Sequence, residues 1–385
     1  MHILYLCETF DPQPDGGAGR VAGDLAKEMV NMGMTVDVIC PNHYRRVCSF
    51  ELEKGLNIHH VPAVDQIYSK RMLREIASYL SSKINLLDIN IFHDNGSFFK
   101  MLYPLEDHLL SILKDVPFIL QCQIQWRPIL IAEQIPNETI IPLVEKQKEL
   151  AHRANHVIFL SREEQEEGLQ TFLIDESKTS IVPNAIPLDR FPFPSHPKYS
   201  FKDGIPVIAM AGRLRSREKG TDIGLEVLSE LSKDVDFQLM LIGNKMDINS
   251  IPENLRQRIF MTGWINSEEM AQTLSSADIL IVPSRYEAFG LIAVEAMAVG
   301  TAVVASATGG LKDIITHEKT GLLAETQNLK DNLKKQLLRF FNDHTLKNNC
   351  IKNGLSTVKE KYTISLVAKK ILDIYFLLQT TEHPS

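Results

Sequence analysis

The sequence predicts an α/β fold made of two doubly wound parallel-sheet halves, and three observations support this. Short β-branched or apolar runs alternate with amphipathic segments along most of the chain, as parallel βαβ units require. A stretch with six prolines, PNAIPLDRFPFPSHPKYSFKDGIP from Pro183 to Pro206, breaks that alternation and denies regular hydrogen bonding to most of itself. The chain, at 385 residues, exceeds one ordinary core at roughly 100–200 residues per domain.

In the first half the apolar runs predict strands at His2–Cys7, Thr35–Cys40, Leu56–Val61, Ile89–His93, Phe118–Gln123, His156–Leu160 and Ser180–Val182. The helical period places helices between them, notably Gly19–Met32, Ser69–Leu86, Phe98–Leu113 and Ile141–Arg153. After the proline stretch, strands follow at Val207–Ala211, Phe237–Ile242, Ile259–Thr262, Ile279–Pro283 and Ala302–Ala305. Helices there fall at Asp222–Leu231, Ser267–Ser275 and Gly290–Val299. From Asn328 the chain reads as helical to its end. Its last segment, ISLVAKKILDIYFLL, carries one apolar stripe at Leu366, Val367, Ile371, Ile374, Tyr375 and Leu378. Such a stripe needs a partner surface, either protein or, as the alternative, a membrane. The boundaries are a first domain at 1–186, a linker at 187–206, a second domain at 207–363 and a terminal helix at 364–385.

Hydrophobic residues at 44% and charged residues at 23% fit a soluble globular protein. A net charge of −7 and a pI near 6.0 leave no broad basic field, so no nucleic-acid partner is expected. Five scattered cysteines without metal spacing point to a reducing compartment. MHILYLCETF lacks a positively charged start or a cleavage pattern, and no run of 18 apolar residues occurs. The expectation is a cytoplasmic protein, with peripheral contact at the inner face of the membrane left open.

The stretch SRYEAFGLIAVEAMAVGTAVVAS, Ser284 to Ser306, carries two glutamates, Glu287 and Glu295, in an apolar run. On a helix the neighbours of Glu295 are Leu291, Ile292, Ala298 and Val299, all apolar, so hydrogen-bond donors must meet its carboxylate. In open parallel sheets, ligands sit beyond the carboxyl ends of the strands. Glu287 falls in such a loop. The N–H groups of Phe289, Gly290 and Leu291, at the start of the next helix, suit a phosphate. A ribose at Glu295 and a hydroxyl-rich group at Glu287 could then flank one ligand. The competing reading gives Glu295 a buried protein donor and makes Glu287 a solvated loop residue.

MAGRLRSREKGTD, Met210 to Asp222, places Arg213 directly after a buried strand and Lys219 before Gly220 at a helix start. Both cations project from the edge that carries Glu287 and could hold a diphosphate as its charge grows. Arg215, Arg217 and Glu218 are expected to be solvated. PDGGAGRVAG, Pro14 to Gly23, offers glycines before a helix, with Gly17, Gly19 and Ala22 imitating a dinucleotide fingerprint. Its distance from the first strand and the absence of an acidic residue at Pro41 and Asn42 argue against that fingerprint. Asp234 and Asp236 form a DxD before a strand, at the amino edge, where no metal is expected.

With these residues assembled, the chain resembles family four of the retaining glycosyltransferases, whose GT-B architecture sets two Rossmann-like domains face to face across a cleft. The resemblance covers nearly the whole length. It rests on the E-x7-E motif from Glu287 to Glu295, on AGRL with the later EKG, on PNAIPLDRF, on TGWI at Thr262 to Ile265, and on the glycine-rich first loop. It implies a nucleotide-sugar donor, UDP-linked by default, held mainly by the second domain. Glu287 would contact a sugar hydroxyl, Glu295 the ribose, and Arg213 and Lys219 the diphosphate, together with the amides of Phe289, Gly290 and Leu291. Backbone near Ile265 would meet the base, Gly17 would close over the phosphates, and the terminal helix would cross back to the first domain.

The resemblance also implies front-face transfer with retention, in which a diphosphate oxygen takes the acceptor's proton and no metal or other cofactor is needed. Many relatives carry H-x-H after the strand ending at His93. His93 matches the first histidine, with either a catalytic or a structural role, but Asn95 stands at the second. Asp94, Asn95, Gln123 and Arg127 are candidates for the acceptor side. The acceptor itself is unassigned: a glycan, a lipid, a protein or a small natural product. The competing functions are a phosphorylase, which would need lysine-bound pyridoxal, a sugar-nucleotide epimerase, and a non-catalytic partner subunit.

Overall fold

The computed structural model describes residues 1–7, 17–42, 48–53, 55–62, 70–96, 103–123, 125–202 and 204–381. Pro14 to Gly16 of the glycine-rich stretch, the first residues of the helix expected from Phe98, and 382–385 lie outside the described residues.

The first domain runs β1 (His2–Leu6), α1 (Gly17–Asn31), β2 (Thr35–Asn42), β3 (Ser49–Glu53), β4 (Leu56–Pro62), α2 (Lys70–Lys83), β5 (Ile91–Asp94) and α3 (Tyr103–Ile112). It continues with β6 (Phe118–Cys122), α4 (Trp126–Ala132), α5 (Asn137–Arg153), β7 (His156–Phe159), α6 (Arg162–Phe172) and β8 (Thr179–Ile181). Its sheet has the order β3-β4-β2-β1-β5-β6-β7-β8. Every pairing is parallel except that of β3 with β4. Strands such as β5 and β7 are buried along their whole length, which is why they read as unbroken apolar runs rather than as alternation.

The second domain runs β9 (Val207–Gly212), α7 (Thr221–Leu231), β10 (Gln238–Gly243), β11 (Ile259–Gly263), α8 (Ser267–Leu274), β12 (Ile279–Val282) and α9 (Leu291–Ala298). It closes with β13 (Ala302–Ser306), α10 (Leu311–Ile314), β14 (Leu322–Ala324), α11 (Leu329–Asn342) and α12 (His344–Lys361). Its all-parallel sheet has the order β11-β10-β9-β12-β13-β14. The winding direction reverses between β9 and β12. These two strands pair only at Ile279 with Ile208 and Leu280 with Ala209, so they splay toward their carboxyl ends and open a crevice there.

The final helix, α13 (Ile364–Thr381), leaves the second domain and joins the core of the first. Val367, Ala368, Ile371, Leu372 and Tyr375 pack with Ile3, Tyr5, Val21 and Leu25. The return crossing lies beside the linker, with Ile186 N–H donating to the Tyr362 carbonyl at 2.9 Å and Ile364 N–H to the Ile186 carbonyl at 3.1 Å. The expected stripe is shifted: Leu366 is exposed, and Ala368 and Leu372 are buried instead. Among the described residues no helix is long and apolar enough to cross a membrane.

Five elements were not expected, one of them the short α10 (Leu311–Ile314). β3 is an edge strand whose Phe50 and Leu52 face solvent, and β14 is only three residues long. α4 follows immediately on β6, and α6 is polar along most of its sequence, REEQEEGLQTF.

Candidate active site

Arg213 and Lys219 follow β9, and Glu287 follows β12, so the switch point of the second sheet brings all three charges to one carboxyl edge. Lys219 Nζ lies 3.0 Å from Glu287 Oε2 and 3.2 Å from Oε1, and the Ser284 hydroxyl donates to Oε2 at 3.2 Å. The two loops touch because of Gly220, at φ +63°: a Cβ there would come 1.9 Å from the Pro283 carbonyl oxygen. A side chain at this position would face both the left-handed backbone penalty and a collision with main chain. Arg285 fastens the same seam, with bidentate bonds to Asp222 at 2.7 and 2.6 Å and one to the Arg217 carbonyl at 2.8 Å.

Glu218, expected in solvent, is instead 2% exposed and paired with Arg213, while the Arg213 side chain stays 54% exposed. A buried carboxylate beside the half-exposed guanidinium fixes that cation over the crevice instead of leaving it to wander. Gly290 caps α9 at φ +103°. The first N–H groups of α9, starting at Leu291, have no carbonyl within the helix to bond. Phe289 is buried against Tyr362 and the second-domain core. Ile265 sits after β11 at the same carboxyl edge, partly buried against that core.

Glu295 is buried in α9, and its donor comes from the opposite domain: Arg20 Nη2 on α1 lies 2.9 Å from Glu295 Oε1. Burial pushes the Glu295 carboxyl above its usual range, against the pull of Arg20 and Arg190. Arg190 in turn makes bidentate bonds to Asp24 at 3.0 and 2.8 Å. Gly17 opens α1 against α9, where a Cβ would meet Leu291 Cδ2 at 2.8 Å. Gly17, Arg20, Leu291 and Glu295 therefore form one contact between the two lobes. Arg20 was missed in the sequence, although it lies one helical turn after Gly17 and is the only cation in GAGRVAGD.

The residues expected on the acceptor side do not form one open group. His93 is fully buried, with Nδ1 hydrogen-bonded to the Tyr375 hydroxyl and its ring edge-on to Tyr5. Burial drives its pKa down to about 3, which keeps it neutral and sealed under α13. This geometry fits the structural role. Asp94 and Asn95, expected on the acceptor side, are buried at the carboxyl end of β5. Gln123 donates to Asn95 at 2.8 Å and accepts from Asn184 at 2.9 Å. Arg127 stands apart on α4, half exposed and paired with Glu167 at 2.5 Å. At the amino edge of the second sheet, Asp236 pairs with Arg258 and Asp234 with Lys334. Among the described residues no three His, Cys, Asp or Glu side chains are grouped to hold a metal ion.

Two doubly wound lobes, a charged crevice at the switch point of one and a helix tip of the other reaching into it, define the class of two-domain GT-B glycosyltransferases. Comparison with known proteins gives the family. The pattern described as Glycosyl transferases group 1 matches residues 194–357, and that of Glycosyltransferase Family 4 matches residues 15–190. The chain belongs to this family of glycosyltransferases and is an enzyme of that class. It is 24% identical to an uncharacterized glycosyltransferase of Methanocaldococcus jannaschii over 97% of this chain and 98% of that protein. Its fold is similar to sucrose-phosphate synthase from Thermosynechococcus elongatus, with a TM-score of 0.79 and 22% identity over 99% of both chains. It is likewise similar to Anabaena HepE in complex with UDP and glucose, with a TM-score of 0.74 and 18% identity over 97% of this chain and 99% of that one.

Proposed function

We propose that this glycosyltransferase moves a sugar from a UDP-linked donor to an acceptor hydroxyl, with retention of configuration and without a metal ion. The observation that carries the reading is the Lys219 to Glu287 pair at 3.0 Å, set between Arg213 and the start of α9 at the switch point of the second sheet. Arg213, Lys219 and the amides of Phe289, Gly290 and Leu291 hold the diphosphate and stabilise it as it departs. Glu287 accepts from a sugar hydroxyl, Glu295 accepts from the ribose, and the backbone at Ile265 faces the base. Gly17 allows the first domain to come close above the phosphates.

In the transfer step the bond from the anomeric carbon to the diphosphate oxygen breaks, and a bond to the acceptor oxygen forms on the same face. The acceptor's proton passes to a diphosphate oxygen, so the protein supplies position and charge rather than a nucleophile. In this reading the acceptor enters from the first domain's carboxyl edge, where Asn95 and Gln123 follow β5 and β6. The complex of HepE with UDP and glucose supports the choice of base.

Thermal melting with UDP, GDP and ADP in the presence of a chelator tests the reading. UDP is expected to raise the melting temperature most, and UDP-glucose to be cleaved with release of UDP. Flat melting curves with all three nucleotides would overturn it.

A further inference from the structure

Two loops carry the charges of the donor site, and each is fastened to the first domain by a glutamate that the proposed chemistry does not use. Glu133, at the end of α4, accepts the Glu218 N–H at 2.8 Å, one residue before Lys219. Glu164, in the first turn of α6, accepts from the Tyr286 hydroxyl at 2.8 Å, one residue before Glu287. The Tyr286 hydroxyl is occupied on both sides, because it also accepts the Gln125 N–H at 3.3 Å. The Gln125 side-chain amide donates to the Glu164 carbonyl, so three residues from two domains close one knot.

Glu164 is 1% exposed, and its Oε2 has no protein hydrogen-bond partner. A carboxyl group in that setting is costly to keep, and its Oε1 is held by the tyrosine next to the donor glutamate. Burial pushes its pKa up to about 8. Glu163 and Glu167 on the same helix act in the same direction, against the hydrogen bonds from Tyr286 and Gln125. Glu218 is the other charged group near Tyr286. Burial thus favours the neutral acid, and Oε1 accepts the Tyr286 hydroxyl as the oxygen of a carboxamide would.

We infer that Glu164 is a positioning residue which, acting through Tyr286, sets Glu287 from the opposite domain, so that the donor sugar is aligned for transfer only while the two domains are together. The inference rests on the proposed transfer reaction. Diphosphate binding should be independent of it, since the Tyr286 hydroxyl bonds to Glu164 and Gln125, while Arg213 pairs with Glu218 and Lys219 with Glu287.

The test is UDP release from UDP-glucose, measured beside the melting shift with UDP, for Tyr286→Phe, Glu164→Ala and Glu164→Gln. Tyr286→Phe and Glu164→Ala are expected to lower kcat about tenfold or more, the scale of a small misplacement of reacting groups, with the UDP shift retained. Glu164→Gln is expected to stay within about twofold of wild type, because its carboxamide oxygen accepts the same hydrogen bond. Wild-type turnover in Tyr286→Phe, or parallel loss of turnover and UDP shift, would overturn the positioning role. Absence of UDP release by the wild-type protein would instead overturn the reaction itself.

Discussion

Arg20 on the first helix of one domain donates at 2.9 Å to Glu295, a carboxylate only 2% exposed in the other. Removing one partner of a buried ion pair leaves an uncompensated charge, at a cost of about 3–5 kcal/mol. The Arg20 side chain is 19% exposed, so Arg20→Ala should fall near the lower end of that range. Thermal melting should show the loss, and adding Glu295→Gln to Arg20→Ala should recover part of it. An Arg20→Ala protein that melts like wild type would show that the pair does not hold the lobes.

Lys219 is the central cation of the crevice, and its pair with Glu287 is partly solvated. Lys219→Ala should cost about 1–2 kcal/mol of stability, less than Arg20→Ala because Glu287, 12% exposed, keeps more contact with water than Glu295 at 2%. Its effect on turnover should be far larger, on the order of 100-fold, as when a preorganised charge is taken from a departing oxyanion. Release of UDP from UDP-glucose, measured beside a melting curve, separates the two. Equal losses in both would assign Lys219 a structural role.

Gly220 lets the Arg213 to Lys219 loop lie against Pro283. Gly220→Ala puts a methyl 1.9 Å from a carbonyl oxygen at a backbone angle of +63°, and neither strain can be relieved by rotating a side chain. The expected cost is about 3 kcal/mol or more. Because the loops separate, turnover should fall with stability in this variant, in contrast to Lys219→Ala.

Asp37 in β2 sits between His2 Nε2 at 2.5 Å and His59 Nε2 at 2.6 Å. Burial alone would raise its pKa, but the bonds from His2 and His59 outweigh burial and hold it at about 2. An unfolded aspartate titrates near ~3.9, so the folded value is the lower one. The stabilisation is therefore complete above about pH 4 and is lost as the pH falls toward 2, by about 2 kcal/mol. Denaturant unfolding between pH 2 and 5 should show this slope, and Asp37→Asn should flatten it.

The elements that were legible in the sequence are those whose physics is local. β12, a run of four apolar residues buried on both faces, and α9 after it could be read directly, and so could the loops that place Arg213, Lys219 and Glu287 on one edge. What escaped depends on the approach of distant segments. Nothing near Glu295 in the chain shows that its donor is Arg20, and nothing near His93 shows that Tyr375 will cover it. Glu218 reads as solvated among its charged neighbours SREKG, yet Glu133 from the other lobe closes over its N–H group. Tyr286 hides in an apolar motif because its hydroxyl is needed only where the domains meet.

The helix α13 sets the order in which the molecule can be completed. The interior of the amino-terminal lobe contains Val367, Ile371 and Tyr375, which follow the whole second domain in the chain. During synthesis that lobe emerges long before its final wall exists, with Tyr5 and His93 still waiting for their cover.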